Sequence, residues 1–544
     1  MKYIYLIAAC FCLFAWLLPN HYQPWLSVYQ DYSIFCAAWL ILLTLIHKRT
    51  IKIPYFVNIL FFISFLPLIH YLFGISYFIS EALMYSLYIL GFAFCLIAGF
   101  NVGLLEDNKK EGIINGLIFT ILFACFISVW IQLNQWLMLD GNIWQAELPP
   151  SGRPFANLAQ PNQLCTLLLM GICGILYLFE NNKINATVAS LATFFLIFGV
   201  VLSQSRSAWV FSIFIWLLWL FKIKNKPFNL SAYHIIFWNL IFIGLWCFIP
   251  ILTKKLDLIF LMSFTDRATT GLYRIPQWLQ IIEILKNSPW YGFGWGQLNV
   301  AQMSNTTNII DNPILGYSHN LFLDLLIWNG WYLGLAIIFL IVYFFLKIAI
   351  LVEDKNAILI ATLFSPILVH SMLEYPFAYG YFLLPLGFLI GNVYSQSNFI
   401  CGNFNLNKKI YSIFLILYLL IMVVFSFDYT NVNLEYQKMR YENAKLSKID
   451  IKEKEIDSIF LYHINEYIWF VRSPLRSDLS DQTLERMRKV VYRYPDRPIL
   501  YRYIQILSLN NKHIEMMRVL RLYNGFYQEN INISDVVKSI NEEL

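Results

Sequence analysis

Charge is what this chain has least of. Of its 544 residues only 13% are charged, whereas 59% are hydrophobic and 18% aromatic. That balance excludes an ordinary soluble domain and points to a polytopic membrane protein. The net charge of +6 does not indicate a nucleic-acid partner. Much of the basic excess lies in short loops such as His47-Lys48-Arg49 and Lys222-Ile223-Lys224-Asn225-Lys226, where it orients spans. No Asp-x-Asp pair occurs anywhere in the chain, which argues against a sugar-nucleotide transferase that needs Mg²⁺. The nine cysteines all fall in expected spans or in one expected cytoplasmic loop, so neither a disulfide framework nor a cysteine metal site is expected. Nor is a cleavable leader expected. Only Lys2 precedes the first apolar run, and Pro19-Asn20-His21 follows it as a poor cleavage site, so an uncleaved first span is expected. Paired Gly/Pro-broken spans and matched halves, which would suggest a transporter, are also missing.

What the chain does have is a succession of apolar runs. They cover residues 3–18, 31–46, 53–73, 78–100, 112–139, 160–179, 185–203, 206–222, 232–252, 331–352, 356–374, 379–395 and 409–428. These predict an all-α polytopic membrane protein of about 13 transmembrane helices, several shorter than the ~20 residues of a straight span. Loops 47–52, 101–111, 180–184, 222–231, 347–356 and 396–409 carry most of the short-loop Lys and Arg, and loops 19–30, 74–77 and 375–378 carry none. The alternation places the N-terminus inside and, with an odd number of spans, the C-terminus outside. The expected domains are a bundle over 1–252, an external loop with helices over 253–330, a second bundle part over 331–428, and an external helical domain over 429–544. In that tail, residues 484–494, 498–509 and 513–523 have the periodicity of successive amphipathic helices. Such helices resemble repeat modules that bind peptides or proteins; a ligand-free helical cap fits the pattern equally.

Against this background the cations on the outer side stand out. Arg153, Arg206, Arg274 and His319 all thread to the non-cytoplasmic face, where the positive-inside rule disfavours arginine in short loops. An anionic ligand at the outer membrane surface would explain them. Arg206 lies in the tight turn Ser203-Gln204-Ser205-Arg206-Ser207; a boundary charge can snorkel, but ionisable groups at membrane depth usually serve function. Arg274 opens an amphipathic helix carrying Trp278, Ile281, Ile282 and Leu285, and lipid headgroups are its plain alternative partner. His319, in Tyr317-Ser318-His319-Asn320-Leu321, comes just before an apolar helix that runs into the span at 331, near that helix's positive end, and serves either as a cap or packed residue or as an acid–base group. His370 and Glu374 are four apart, sharing a helix face, and either pair with each other or orient a neighbour. Asn157, Gln160, Asn162 and Gln163 form an amide cluster beside Arg153 where a helix begins at Pro161. Capping accounts for one or two of them, and carboxamides suit sugar hydroxyls or phosphate oxygens. Tyr291-Gly292-Phe293-Gly294-Trp295-Gly296 lacks the strand–turn–helix setting of a phosphate loop and is expected to be a flexible aromatic loop.

These segments occur in a telling order. Gly152-Arg153-Pro154-Phe155-Ala156-Asn157 with Gln160-Pro161-Asn162-Gln163 comes first, then Ser205-Arg206-Ser207-Ala208-Trp209, Arg274, Ser318-His319-Asn320 and Leu373-Glu374-Tyr375-Pro376. Together they resemble the bacterial O-linked protein oligosaccharyltransferases of the pilin-glycosylation ligase type, within the superfamily of O-antigen ligases and polymerases. The resemblance covers essentially the whole chain, tail included. It implies a glycosyltransferase of the bacterial inner membrane with its active site facing the periplasm. The implied donor is an oligosaccharide on undecaprenyl pyrophosphate, moved en bloc to a Ser or Thr hydroxyl of pilin or another periplasmic protein, without cofactor or required metal. His319 matches the histidine needed for activity, and Arg206 and Arg274 the arginines thought to engage pyrophosphate. Arg153, Asn157, Gln160, Asn162, Tyr317 and Glu374 are the expected substrate-binding set. Membrane lipids are expected partners and nucleic acid is not. The alternatives are an O-antigen ligase acting on lipid A core, a polymerase adding repeat units, and, from a different class, a lipid-linked glycan transporter.

Overall fold

The structure, a computed structural model, describes residues 2–48, 50–139, 141–148, 152–258, 274–305, 313–397, 402–446 and 457–543. The apolar runs fold as helices because a backbone in hydrocarbon must satisfy its own hydrogen bonds. In chain order these are α1 (Lys2–Leu17), α2 (Val28–Thr44), α3 (Val57–Leu72), α4 (Ile79–Gly103), α5 (Asp107–Trp136), α6 (Pro161–Glu180), α7 (Ala186–Leu202), α8 (Ser207–Leu218) and α9 (Ala232–Lys255). Next come α10 (Arg274–Lys286), α11 (Leu298–Ser304), α12 (Leu321–Leu351), α13 (Lys355–Ser371), α14 (Gly380–Ser395) and α15 (Lys408–Asn443). The tail supplies α16 (Tyr462–Arg472), α17 (Asp481–Arg493), α18 (Arg497–Leu509), α19 (His513–Tyr527) and α20 (Ile533–Glu543). Among the described residues seven helices are long and apolar enough to cross a membrane, and six more are apolar but shorter. The protein is a helical, multi-pass membrane protein.

One departure from the all-α expectation is a small antiparallel pair, β1 (Thr50–Pro54) against β2 (Asn403–Asn407), in register from Thr50 opposite Asn407 to Pro54 opposite Asn403. Two loops lying side by side pair the backbone groups that neither satisfies alone. Asn101 of α4 closes the free edge, accepting from the Lys52 peptide N–H at 3.1 Å and donating to the Lys52 carbonyl at 2.7 Å.

The chain divides into two compact units. The first comprises Met1–Phe62, Tyr88–Gly271 and Val342–Leu420; the second comprises Ile63–Leu87, Leu272–Ile341 and Ile421–Leu544. The first has a continuous apolar core through α1, α2, α5, α6, α7, α13 and α14, in which Trp16, Leu42, Ile121, Leu168, Leu363 and Leu389 are buried. On the face carrying most Lys, the carboxylate of Glu180 is buried, accepts from the Asn229 and Leu230 peptide N–H groups and pairs with Lys355 at 2.8 Å.

In the second unit a separate core joins Phe78, Val300 and Met303 to Met487, Val490, Leu500, Ile504, Val519 and Tyr523. The three amphipathic helices expected in the tail stand as α17, α18 and α19. Helix α15 runs beyond the apolar run ending at residue 428, into polar sequence as far as Asn443. Helix α12 begins at Leu321, as expected for an apolar helix leading into the span from 331, and Gly330 (φ +72°) breaks it where that span begins. The glycine-rich stretch 291–296, expected as a flexible loop, is stapled in place. The Phe293 and Gly294 peptide N–H groups donate to the carbonyls of Ile327 and Trp328 at 2.9 and 3.0 Å, and Trp295 Nε1 donates to Asn329 Oδ1 at 3.0 Å. Tyr291, and Trp290 just before the stretch, are its exposed rings. A Cβ on Gly330 would fall on the Trp290 carbonyl, and one on Gly292 on the Gly330 peptide nitrogen, so these glycines permit backbone-to-backbone contact.

Candidate functional site

The expected site residues divide between the two units. Arg153, Asn157, Gln160, Asn162, Arg206 and Glu374 belong to the first, and Arg274, Tyr317 and His319 to the second.

In the first unit Arg206 is the N-cap residue of α8, at the end of the four-residue turn after α7. That turn is buried through Ser203, Gln204 and Ser205, and Gln204 adopts a left-handed conformation (φ +48°). Arg153 holds it. Its Nε and Nη2 donate to the Ser203 carbonyl at 3.1 and 2.9 Å, and Nη2 also reaches the Gln204 carbonyl at 3.4 Å. The same Nη2 meets Asn162 Oδ1 at 3.3 Å, while Asn162 Nδ2 donates to Glu374 Oε1 at 2.8 Å. A row of side chains, Glu374 to Asn162 to Arg153, thus ends on the turn that presents Arg206. Helix α13 stops at Ser371, so Glu374 stands in the turn beyond it rather than on the helix face shared with His370. The two residues instead bond successive turns of α6, Glu374 at Asn162 and His370 Nδ1 at Thr166 Oγ1 (2.7 Å).

The expected amide cluster is dispersed. Gln160 is the N-cap residue of α6, with Pro161 in the first turn and no side-chain cap bond. Gln163 is buried and accepts from the Tyr381 hydroxyl. Asn157 is buried, and its amide accepts from the Ala146 N–H at 3.0 Å and donates to the Leu17 and Trp144 carbonyls at 2.7 and 2.8 Å. Its own carbonyl meets His21 Nε2 at 2.7 Å, and burial lowers the pKa of His21. Two residues of α5 that sequence reasoning passed over do as much to shape this approach. Gln135 Oε1 accepts from the Phe155 and Ala156 N–H groups, and Gln132 Nε2 donates to the Pro154 and Gly199 carbonyls. Their signal was available: two glutamines three apart near the end of a long apolar run, which are costly in a membrane without partners.

In the second unit His319 lies two residues before Leu321, just ahead of an apolar helix as expected and outside its first turn. Asn320 caps α12, its Oδ1 accepting from Phe322 and Leu323 N–H at 3.0 and 3.2 Å. His319 itself is left-handed (φ +58°) and partly exposed. The turn is closed by Ser318, whose hydroxyl donates to the Asn320 carbonyl at 2.7 Å and accepts from the Asn320 N–H. Behind it the wholly buried Asp324 accepts from the Ser318 peptide N–H at 2.8 Å. Tyr317 hydrogen-bonds Tyr85 (3.1 Å) and meets Trp328 edge-on, and burial raises its phenol pKa well above the ordinary value.

Helix α10 lies alongside this turn. Trp278 Nε1 donates to the Ser318 carbonyl at 2.9 Å, and Trp331 Nε1 donates to the Leu285 carbonyl at 2.9 Å. The helix is therefore tied at two points, to the turn before α12 and to Trp331 just past its Gly330 break, with its N-terminal end at the His319 turn. Arg274 begins α10, one turn or about 6 Å of helix before Trp278, so the fold brings Arg274 and His319 to the same end of this pair. Gly271, Leu272 and Tyr273 of the expected Arg274 motif lie outside the described residues.

Comparison with known proteins completes the description. Residues 154–179 match a family described as protein glycosylation ligase, residues 191–339 one described as O-antigen ligase, and residues 358–539 the C-terminal part of a virulence factor membrane-bound polymerase. Arg206, Arg274 and His319 fall in the second segment, and Glu374 and most of the tail in the third. The chain is 28% identical over 542 residues to a general O-oligosaccharyltransferase of Acinetobacter baylyi, covering 98% of this chain and 94% of the relative. It is 31% identical over 529 residues to a ComP-specific O-oligosaccharyltransferase of the same organism, covering 95% and 94%. No solved structure matches the chain. A helical multi-pass protein with this ordered set of segments, alike over nearly its full length to two such enzymes, is a glycosyltransferase and belongs to the O-oligosaccharyltransferase family, among the O-antigen ligases and protein glycosylation ligases.

Proposed function

We propose that the protein transfers an oligosaccharide en bloc from undecaprenyl pyrophosphate to a Ser or Thr hydroxyl of a periplasmic protein such as pilin. The observation that carries this reading is the Trp278–Ser318 bond, which holds the Arg274 helix against the His319 turn inside a chain alike to protein O-oligosaccharyltransferases. The seven long and six shorter apolar helices together supply the thirteen crossings of the proposed topology. With the N-terminus inside, residues 253–330 and 429–544 face the periplasm from the inner membrane. The tail helices then serve to hold the acceptor protein.

Pyrophosphate is a good leaving group, so the reaction requires no protein acid. Arg206 and Arg274 bind phosphate oxygens through forked, charge-assisted hydrogen bonds and stabilise charge as the C1–O bond breaks. A serine hydroxyl is a weak nucleophile; neutral His319 takes its proton as the oxygen attacks C1 opposite the leaving group. The product carries the inverted anomeric configuration, and the lipid leaves as the pyrophosphate. Arg153, Asn162 and Glu374 serve chiefly to hold the Arg206 turn, with Gln160 and Tyr317 flanking the substrate. The buried amide of Asn157, already spent on three backbone groups, supports the loop.

The test is reconstitution in bacteria that lack their own ligase but make the lipid-linked glycan. Intact-mass analysis of the acceptor should show one glycan added, and His319→Ala should abolish it with the protein still inserted. A wild-type transfer rate in His319→Ala would remove His319 as base. Arg206→Lys keeps charge and loses the fork, so unchanged activity there would argue against the pyrophosphate clamp. The match of residues 191–339 to O-antigen ligase favours one second reading, transfer to lipid A core. Glycan appearing in lipopolysaccharide bands while pilin mass stays constant would select it.

A further inference from the structure

The segment leading to His319 contains little regular structure, so something other than helix geometry must hold it relative to α10. Trp278 supplies one tie, at the Ser318 carbonyl. The Trp331–Leu285 bond holds the far end of α10, and neither bond reaches the 313–315 segment that leads to the turn. Gln302 provides an offset tie to that segment from a third element. It lies on the short helix α11, which is buried along almost its whole length, and is itself 3% exposed. Its Nε2 donates to Gln280 Oε1 of α10 at 3.2 Å and to the Pro313 carbonyl at 3.3 Å, while its Oε1 accepts from the Leu315 N–H at 2.9 Å. One amide therefore bonds both the helix that begins with Arg274 and the irregular segment from Pro313 that leads to His319. Gln280 is just over half a turn from Trp278, and Pro313 and Leu315 lie before Ser318, so the two ties together fix orientation as well as distance. Helix α11 is in turn anchored to the tail: Asn299 Nδ2 donates to the Arg493 carbonyl, and Arg518 donates to the Met303 carbonyl.

We propose that Gln302 is a positioning residue that sets the alignment of Arg274 with His319, an inference that rests on the roles assigned to those two residues above. A buried amide with three partners would be a costly choice for simple packing, since an apolar side chain of the same volume fills the space without needing partners. What the amide adds is direction: it tolerates only one arrangement of the three segments it joins. Misalignment of reacting groups by about 1 Å costs up to ~100-fold in rate. The effect should appear in turnover rather than donor affinity, because the phosphate-binding groups are all still present.

The test uses the full-length purified protein in detergent, with an undecaprenyl-pyrophosphate-linked oligosaccharide as donor and purified pilin as acceptor, and rates expressed per folded protein. Gln302→Met, close in volume and unable to make these bonds, should lower kcat about 10- to 100-fold with the donor KM within about 3-fold. Combined with Arg274→Lys, its loss should be smaller than the product of the single losses, because both act through one alignment. Gln280→Met cuts one end of the tie without touching α11 and carries the same expectation should Gln302→Met fail to fold. Wild-type kcat in the folded variants, or losses that multiply fully, would overturn the proposal. Wild-type rates in both Arg274→Lys and His319→Ala would instead sink the underlying site reading.

Discussion

Replacing Arg153 with methionine separates two roles that the residue type alone leaves open. The guanidinium makes its shortest bonds, 2.9 and 3.1 Å, to one carbonyl, that of Ser203. Its longer ones reach Asn162 and Gln204 at 3.3 and 3.4 Å. Charge-assisted bonds contribute about 1.5–3 kcal/mol each, not additively. Discounting the long pair, Arg153→Met should loosen the turn that carries Arg206 by about 2–3 kcal/mol. If that disorder is felt in the transition state, kcat falls roughly 30- to 150-fold. Lysine restores charge but not the fork, so Arg153→Lys should recover about half of the free energy. The assay is steady-state transfer by purified protein, with kcat and donor KM measured separately and folding checked by a thermal melt. A residue that supports the turn moves kcat. A residue that grips the donor in both ground and transition state raises KM and leaves kcat. Folded Arg153→Met with kcat within about 3-fold of wild type would refute the turn-holding argument.

Other perturbations probe the frame. Gly330→Ala places a methyl on the Trp290 carbonyl at a positive φ, so it should destabilise the kink by about 3 kcal/mol or more and reduce the monodisperse yield on size exclusion. Arg493 and Glu81 form a buried ion pair at 2.6 Å; Arg493→Met strands the carboxylate and should cost about 3–5 kcal/mol in the melt, much of it recovered in the double variant with Glu81→Leu. His463 is buried and its pKa is lowered to about 4, with the Ser80 hydroxyl 2.8 Å from Nδ1. The unfolded chain therefore binds a proton that the folded one refuses. The contribution is intact above the ordinary histidine pKa of 6.5 and declines as pH falls toward 4, by up to about 3 kcal/mol. Thermal melts across that window should show the decline, and His463→Gln should flatten it.

How far each feature was legible depends on the range of the interaction that makes it. Apolar length and loop charge are local, so the helices and the amphipathic periodicity of α17, α18 and α19 were readable from the chain. The amides beside Arg153 were readable as a polar cluster but not as a division of labour. Asn162 turns to Arg153 and Glu374, Gln163 to Tyr381, and Asn157 to the loop at Trp144 and Ala146 and the end of α1. Those partners are 9 to 218 residues away in sequence, and no local pattern encodes them. The glycine-rich stretch misled because its composition suggests freedom, whereas each missing Cβ marks a place where other atoms approach: backbone at Gly292, the Ser76 and Gln297 side chains at Gly294 and the Tyr85 ring at Gly296. Gln132, Gln135, Gln302 and Asp324 gave only the weak signal of a polar residue among apolar ones.

The sequence by itself determined that this is a helical membrane protein, and it identified the ordered segments by which the family is recognised, because hydrophobic length and motif order are properties of a line. Tertiary structure decided what each polar residue is for. It set Arg274 and His319 at one end of a helix pair through Trp278 and made Glu374 part of a support running to the Arg206 turn. The physical reason is that a buried polar group is committed by whichever partner satisfies its hydrogen bonds, and those partners are brought near only when the chain folds.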